Sequence, residues 1–467
     1  MKKNELVTGK VIELDFPNKG IVETEGGICV VKNTIPGQTV SFFVKKKRNG
    51  RYTGNLKEIE EASPMETAKA CPHFRVCGGC SYQTLPIEAE EGLKGEQVKK
   101  LIENAAKGHE GCLARDWFEG VISSPNEYNY RNKMEFSFGD AVKGGELNLG
   151  MHVSGHFNDV VTVDGCNIAD ADFVSILKAV LTLARSEGIS FRNKHTGEGY
   201  LRHLLVRKGQ NTGQTLVDLV TTSKEPEGFL EKFTSCVLGI KNLKGEITGI
   251  LNTVNDSAAD AIIDEGTRVL YGQDFFYDEI LGLKFKITAF SFFQTNTLGA
   301  GVLYSKVREY VADAHVGTLF DLYCGTGTIA QLMSKCADKV CGIELVEEAV
   351  GAARENAGLN NIENTVFLAG DVGKVLAGLD TKPDMFIVDP PREGVHPKTL
   401  ASLLDYGVKK FIYVSCKITS LARDMEAILT AGYSLKKACC VNMFPKTSGI
   451  ETVAVFEKVC YTQDIRV

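Results

Sequence analysis

The sequence predicts an α/β chain: a doubly wound parallel sheet at the C-terminal end, a small β-barrel at the N-terminal end, and α+β material between them. Three observations carry this. From about Ser291, short apolar strands alternate with helical stretches, the pattern of parallel strands joined by crossover helices. Residues 1–60 instead hold short, evenly spaced runs of Val, Ile, Thr and Phe broken by Gly and Asn, as in a small barrel. A length of 467 residues exceeds one ordinary core, so roughly two to four domains are expected. The expected division is 1–60, 61–290 and 291–467.

In the first part, Val7 to Asp15, Gly20 to Lys32, Gln38 to Val44 and Arg51 to Ile59 are the candidate strands. The net charge of the chain is -6, yet residues 1–58 hold 11 Lys and Arg against 6 Asp and Glu. Their cluster Lys45-Lys46-Lys47-Arg48, with Arg51, fits phosphate contact and a plain solvated face equally well. Residues 61–112 hold several cysteines and a helix over Ile87 to Glu103. Between 120 and 285, helical periodicity covers Ala171 to Glu187. Strand-like runs there are Tyr200 to Arg207, Thr215 to Thr222 and Ile247 to Asn255. The C-terminal strands are expected at Leu319 to Tyr323, Lys339 to Leu345, Thr365 to Ala369, Met385 to Val388 and Phe411 to Val414. Helices are expected at Ile329 to Lys335 and Glu347 to Asn356.

Hydrophobic content of 43% and charged content of 24% are those of a soluble globular protein. No apolar run reaches the roughly 18 residues that span a bilayer, and the N-terminus lacks a signal-peptide core. A cytoplasmic protein with no membrane contact is expected. Disulfides are disfavoured there, so most of the 14 cysteines should be buried apolar residues. Cys29, Cys236, Cys336, Cys341, Cys439, Cys440 and Cys460 fit that description.

Three motifs point to chemistry. The first is the turn Asp321-Leu322-Tyr323-Cys324-Gly325-Thr326-Gly327-Thr328, after a strand and before a helix. Its glycines let backbone N–H groups approach a ligand. It lacks the full dinucleotide fingerprint and any triphosphate-binding Gly-Lys-Ser/Thr. Glu344 ends the next strand, where a carboxylate can accept from two ribose hydroxyls, and Asp371 ends the third, where it can receive an adenine amino group. A lone Gly-x-Gly would be an ordinary strand–helix turn. The acidic series Asp321, Glu344, Asp371 favours a nucleoside cofactor. An Asp-Pro-Pro turn and a strand-end thiol further along the chain favour S-adenosylmethionine over NAD.

The second motif is that turn, Asp389-Pro390-Pro391-Arg392-Glu393-Gly394. Its prolines fix φ and turn the chain rigidly, presenting Asp389 and nearby carbonyls to a planar substrate. The third is Phe411-Ile412-Tyr413-Val414-Ser415-Cys416. A strand-end cysteine is usually core, but one coming after Asp-Pro-Pro-Arg suits covalent catalysis. Uracil C5 is a poor nucleophile; a thiolate adding to C6 activates it, and a base must then remove the C5 proton so that the thiol can leave. Glu451, in Phe444-Pro445-Lys446-Thr447-Ser448-Gly449-Ile450-Glu451, is the candidate base.

With these residues the chain resembles the RNA (uracil-5-)-methyltransferase family over nearly its full length. The matching stretches are Asp389 to Gly394, Tyr413 to Cys416, Thr419, Leu421-Ala422-Arg423-Asp424, Phe444-Pro445 and Glu451. The resemblance implies a Rossmann-like methyltransferase sheet and an S-adenosylmethionine cofactor contacted by Gln294, Tyr323, Gly325, Thr328, Glu344, Asp371 and Asp389. It makes Cys416 the nucleophile and Glu451 the base. There are departures. The family usually has Asn-Pro after the cysteine, and this chain has Lys417-Ile418; it commonly has Asp at 442 and His at 449, and this chain has Asn442 and Gly449. Lys417 could lower the thiol pKa by its charge. The N-terminal strands and basic loop resemble a TRAM domain, an OB-like RNA-binding module.

Cys71-x5-Cys77-Gly78-Gly79-Cys80 has metal-type spacing, with Cys166 or Cys112 as a fourth ligand. Spacing alone does not separate zinc from an iron–sulfur cluster. The resemblance favours a 4Fe–4S cluster on Cys71, Cys77, Cys80 and Cys166. That set, with the barrel, matches the branch acting on 23S ribosomal RNA rather than transfer RNA. Tyr130-Arg131-Asn132-Lys133 and Leu201 to Arg207 are candidate RNA contacts or, equally, charge on a sheet face, and His203 reads as structural. Two rival readings remain: an exocyclic-amine methylase without covalent attack, and a non-catalytic RNA-binding module.

Overall fold

Alternating burial in the first 61 residues closes a barrel. The computed structural model describes residues 1–459 except 49, 195 and 314, and the side chains of Arg48 and Phe157 also lie outside the description, as does Cys460. The barrel strands are β1 (Leu6–Asp15), β2 (Lys19–Thr24), β3 (Gly27–Lys32), β4 (Thr39–Arg48) and β5 (Arg51–Glu61), in the order β1-β2-β3-β5-β4, with β4 closing on β1. Val11, Val22, Val31, Val40, Phe42 and Val44 fill its interior. The expected single strand Gly20 to Lys32 is two strands. The chain reverses at Glu25-Gly26, and Gly27 takes a φ of 113° that a side chain disfavours. Lys45, Lys46 and Lys47 are exposed on β4.

Next come α1 (Ile87–Ala105) and β6 (Phe118–Ser123). The central sheet uses β7 (Lys133–Gly139), β8 (Asn148–Val153) and β9 (His156–Thr162), then, beyond α2 (Ala171–Ser186), β10 (Leu201–Lys208) and β11 (Gln214–Thr221). After α3 (Phe229–Leu238) it adds β12 (Glu246–Val254) and β13 (Thr267–Gly272), in the order β13-β12-β11-β10-β7-β8-β9. Helices α2 and α3 bury Phe173, Ile176, Leu177, Val180, Phe229 and Phe233 with Phe136, Leu204 and Val217 of the sheet. A hairpin of β14 (Phe275–Ile280) and β15 (Leu283–Thr288) leads into α4 (Thr297–Ala312).

The C-terminal part runs β16 (Val316–Leu322), α5 (Thr328–Met333), β17 (Ala337–Glu344), α6 (Glu347–Leu359), β18 (Thr365–Ala369), α7 (Val372–Ala377) and β19 (Met385–Val388). It continues with α8 (Pro397–Asp405), β20 (Lys410–Ser415), α9 (Ile418–Thr430), β21 (Tyr433–Asn442) and β22 (Glu451–Lys458). The sheet order is β18-β17-β16-β19-β20-β22-β21-β6, with the first five strands parallel and β22 antiparallel to β20. Leu319, Ile387, Ile412 and Val453 enter one core, Phe320, Phe386, Tyr413 and Phe456 the other. This is the period-2 alternation of a sheet covered on both faces. The antiparallel edge was not foreseen, nor was its last strand. β6 comes from the stretch assigned to the central part but pairs with β21, and α1 packs on α9. Cys29, Cys439 and Cys440 are buried as expected; Cys236, Cys336 and Cys341 are half-buried.

Candidate active site

Parallel strands end together, and their carboxyl ends place the candidate residues on one edge. β16 ends before Tyr323, β17 ends at Glu344, β18 ends two residues before Asp371, and β19 ends before Asp389. Tyr323 has a φ of 65°, as do few non-glycine residues, and Gly325 and Gly327 come next at 54° and 74°. Such backbone costs about 1–3 kcal/mol each for a non-glycine residue and clusters at functional sites. Glu344 is tied to the turn: its Oε2 accepts from Gly325 N at 3.0 Å and its Oε1 from Val346 N at 3.0 Å. Thr328 opens α5, and Asp371 caps α7 by accepting from Lys374 N at 3.1 Å. Buried Asp321 accepts from Ala330 N at 2.8 Å through Oδ2, while its Oδ1 has no hydrogen-bond partner among the described residues.

Cys416 and Glu451 face each other. In the β20–β22 ladder Val414 pairs with Val453 and Ser415 with Thr452, so the next step sets Cys416 opposite Glu451. Glu451 is 4% exposed. Burial, then repulsion by Asp389, pushes its carboxyl up to about 8 against the pull of Arg392. Burial also pushes Asp389 up to about 7. The Cys416 thiol rises to about 11 through burial, Glu451 and Asp389, and Arg392 is the cation that lowers it. Lys417, the other expected cation, is exposed at the N-cap of α9. Alkylation of Cys416 should accelerate as pH rises towards 11, and Arg392→Ala should move that midpoint upward. An unmoved midpoint in an iodoacetamide pH series contradicts this.

The Asp-Pro-Pro-Arg turn is braced from α9. Asp424 Oδ2 accepts from Val395 N at 2.9 Å and from the Tyr413 hydroxyl at 2.7 Å, and the Ser420 hydroxyl donates to Arg392 O at 2.6 Å. Gly394 sits at φ 78°, where an added Cβ would meet Arg423 Nη2 at 2.5 Å and Asp424 Oδ2 at 2.8 Å. Gly394→Ala should cost about 1–3 kcal/mol, read as a lower urea midpoint; an unchanged midpoint contradicts the bracing. Gln294 precedes α4 and lies beside Tyr304, a buried tyrosine whose hydroxyl pKa is raised by burial and by Asp389. Sequence reasoning missed Tyr304, because a tyrosine within a helix reads as core.

For Arg202 and Arg207 neither RNA contact nor charge on an open sheet face holds, because both are buried. Arg202 is 6% exposed and Arg207 is 2% exposed. Arg202 donates to Asn255 O, Ser257 O and Ala259 O. Arg207 donates to Thr288 O at 2.7 Å, Ala289 O at 3.1 Å and Ser291 O at 2.7 Å, fixing the chain that leads to Gln294. The buried Tyr130 hydroxyl donates to Pro445 O at 2.8 Å, Arg131 donates to Thr295 Oγ1 at 3.1 Å, and Asn132 donates to Gln294 O at 2.9 Å. These are braces of the site loops. His203, 4% exposed beside Ser137, is structural as expected.

Cys71, Cys77, Cys80 and Cys166 line one cavity of about 330 Å³, together with Arg131 and Thr295. Burial, aided by each of the other three thiols and opposed by a hydrogen bond from Gln83, pushes Cys80 up to about 12. Cys112 lies elsewhere, packed with Trp117 and Leu435. Among the described residues no group of three or more His, Cys, Asp or Glu side chains is arranged to hold a metal ion.

A glycine turn after β16, acidic strand ends and a doubly wound sheet fit a methyltransferase domain, and the family model of that description matches residues 316–464. An uncharacterized RNA methyltransferase of Caldanaerobacter subterraneus subsp. tengcongensis is 46% identical over 98% of this chain and 100% of its own length. Another, of Clostridium tetani, is 43% identical over 97% of this chain and 98% of its own. The chain belongs to this family of RNA methyltransferases. The crystal structure of Pyrococcus abyssi tRNA (uracil-54, C5)-methyltransferase with S-adenosyl-L-homocysteine shares its fold, with a TM-score of 0.73 at 22% identity over 96% of this chain and 100% of that one. Among the described residues no helix is long and apolar enough to cross a membrane.

Proposed function

We propose that the chain methylates uridine C5 in 23S ribosomal RNA, giving 5-methyluridine, with S-adenosylmethionine as methyl donor. The observation that carries this is the register that sets Cys416 against Glu451, beside Asp389 and Arg392. Cys416, its proton already lost to solvent, adds as the thiolate to uracil C6, and the electron pair of the C5–C6 double bond moves to C5 and the adjacent carbonyl oxygen. When bound, S-adenosylmethionine supplies a sulfonium methyl electrophile to C5. The Glu451 carboxylate then takes the C5 proton, the double bond re-forms, and Cys416 leaves as a thiolate. Gln294, Tyr323, Gly325, Thr328, Glu344, Asp371 and Asp389 hold the cofactor in this reading. The fit rests on the open turn at Gly325, where an added Cβ would meet nothing closer than Phe292 Cδ1 at 3.9 Å, and on the orphaned Asp321 Oδ1. RNA carrying 5-fluorouridine tests the chemistry, since fluorine cannot leave as a proton. A denaturation-stable adduct on Cys416 is expected; its absence with active enzyme contradicts covalent attack.

In the same reading Cys71, Cys77, Cys80 and Cys166 hold a 4Fe–4S cluster, with zinc as the alternative. Four thiols lining one cavity, three of them (Cys77, Cys80 and Cys166) raised by burial and by neighbouring thiols, fit a cationic centre, which binds them as thiolates. Such a centre would supply a cross-link between the segment 71–80 and the loop before α2, since the methyl transfer needs no electron. Anaerobically purified protein should be brown with broad visible absorbance, lost in Cys80→Ala. A colourless, zinc-loaded protein contradicts the iron centre. The barrel over 1–60, with exposed Lys45, Lys46 and Lys47, is proposed to hold RNA. The divisions 61–290 and 291–467 stand as proposals too. Transfer RNA is the second reading, favoured by the whole-chain likeness to the Pyrococcus abyssi enzyme.

A further inference from the structure

We infer that the buried pair Glu90–Lys94 on α1 is the positioning element that sets Glu451 against Cys416; this rests on the proposed covalent reaction. Lys94 is 1% exposed and Glu90 is fully buried, far from the strand edge in sequence. Replacing a buried ion pair with apolar groups is often neutral or stabilising, so stability alone does not explain one. Apart from the bond within the pair, its side-chain hydrogen bonds go to Asn442 at the end of β21 and to the connection 443–450 that follows it. Lys94 Nζ donates to Glu90 Oε1 at 2.7 Å, Asn442 Oδ1 at 2.7 Å and Phe444 O at 3.3 Å. Those are the three donors an ammonium has. Glu90 accepts from Asn442 Nδ2 at 3.2 Å and, with both oxygens, from Lys446 N at 3.0 and 2.9 Å.

This connection leads straight to the candidate base. Val441 pairs with Glu451, so Asn442 is the last strand residue before the connection and Glu451 the first after it. Lys446 is held at φ 67°, a conformation its own backbone disfavours. Its Nζ reaches Leu85 O at 2.6 Å and the Glu127 carboxylate, both outside the sheet. At 442 an Asp would put a further carboxylate beside Glu90 and Glu91, whereas Asn442 gives an amide that donates to both and still accepts from Lys94. A neutral residue at 442 and a carboxylate at 90 thus form one consistent unit. Without the pair, the connection keeps the bonds from Asn296 to Met443 O, from Tyr130 to Pro445 O, from Ser81 and Tyr82 to Lys446 O, and those of the Lys446 ammonium to Leu85 O and Glu127, and it loses the two bonds from Lys446 N and the one to Phe444 O. Misplacing a reacting group by about 1 Å can cost about 10²-fold in rate.

The double variant Glu90→Leu/Lys94→Met removes both charges, avoiding the unpaired buried charge of either single change. Hydrogen exchange over 443–450, kcat, the S-adenosylmethionine KM and the denaturation-stable adduct on uridine RNA would be measured in wild type and in this variant. Expected are exchange about tenfold faster, kcat about 10²-fold lower, KM within about twofold, and a larger adduct fraction because elimination stalls. Unchanged exchange overturns the clamp whatever the reaction; faster exchange with unchanged kcat and adduct shows that it does not position Glu451. A rise in KM matching the fall in kcat, without adduct, marks a merely structural pair. A wild type that never forms an adduct, even with 5-fluorouridine RNA, overturns the functional reading instead.

Discussion

Cys416→Ala is expected to abolish methyl transfer, by about 10⁴-fold or more, while leaving the fold and cofactor binding intact. The thiol is half-buried at a strand end, and the alanine removes one sulfur from the cleft rather than from the core. Cys439 and Cys440 are buried within β21, and Cys324 is buried within the glycine turn, so none of these three stands in for it. A residual rate within tenfold of wild type, measured as tritiated methyl incorporated into RNA, contradicts the nucleophile. The rival without covalent attack predicts that outcome.

Glu451→Gln should separate the two halves of the reaction. Cys416 still adds and the methyl group still transfers, but the C5 proton has no base. Product release should fall by about 10²–10⁴-fold, with the enzyme trapped as a denaturation-stable RNA adduct. The wild-type rate should rise with pH through about 8, where the buried carboxyl loses its proton. That same shift has a stability consequence. A carboxyl whose folded pKa lies above its unfolded value of about 4.3 favours the fold while protonated, and this contribution is lost as pH rises through the folded pKa. Asp389, at about 7, acts in the same direction. Unliganded wild type should therefore melt lower at pH 9 than at pH 6, and Glu451→Gln should flatten part of that fall. A variant that loses activity without accumulating adduct contradicts the base.

Much of the catalytic sheet was legible because parallel strands buried on both faces write apolar runs. Thr365–Ala369 and Met385–Val388 are strands at the expected residues. The acidic strand ends were legible for the same reason: a charged residue closing an apolar run marks the edge. The antiparallel edge was not. β21 holds Lys436, Lys437 and two cysteines, and its partner β6 lies over 300 residues upstream, so no local pattern links them. Most misleading were Arg202 and Arg207. A basic residue on a strand reads as surface charge unless the carbonyls that receive it are known, and those come from the loops 255–259 and 288–291. Lys94 and Glu90 were hidden likewise, since an i,i+4 pair on a helix reads as a solvated surface bridge. Arg392 lay in plain view within its motif, yet its effect on Cys416 depends on how the Asp-Pro-Pro turn folds back.

The central claim is tested most directly by incubating anaerobically purified protein with S-adenosylmethionine and unmodified 23S ribosomal RNA, then digesting the RNA and identifying the methylated nucleoside by mass spectrometry. The account predicts 5-methyluridine with the wild type and none with Cys416→Ala. Methyl groups appearing on another nucleoside, or 5-methyluridine made equally well by Cys416→Ala, would contradict it.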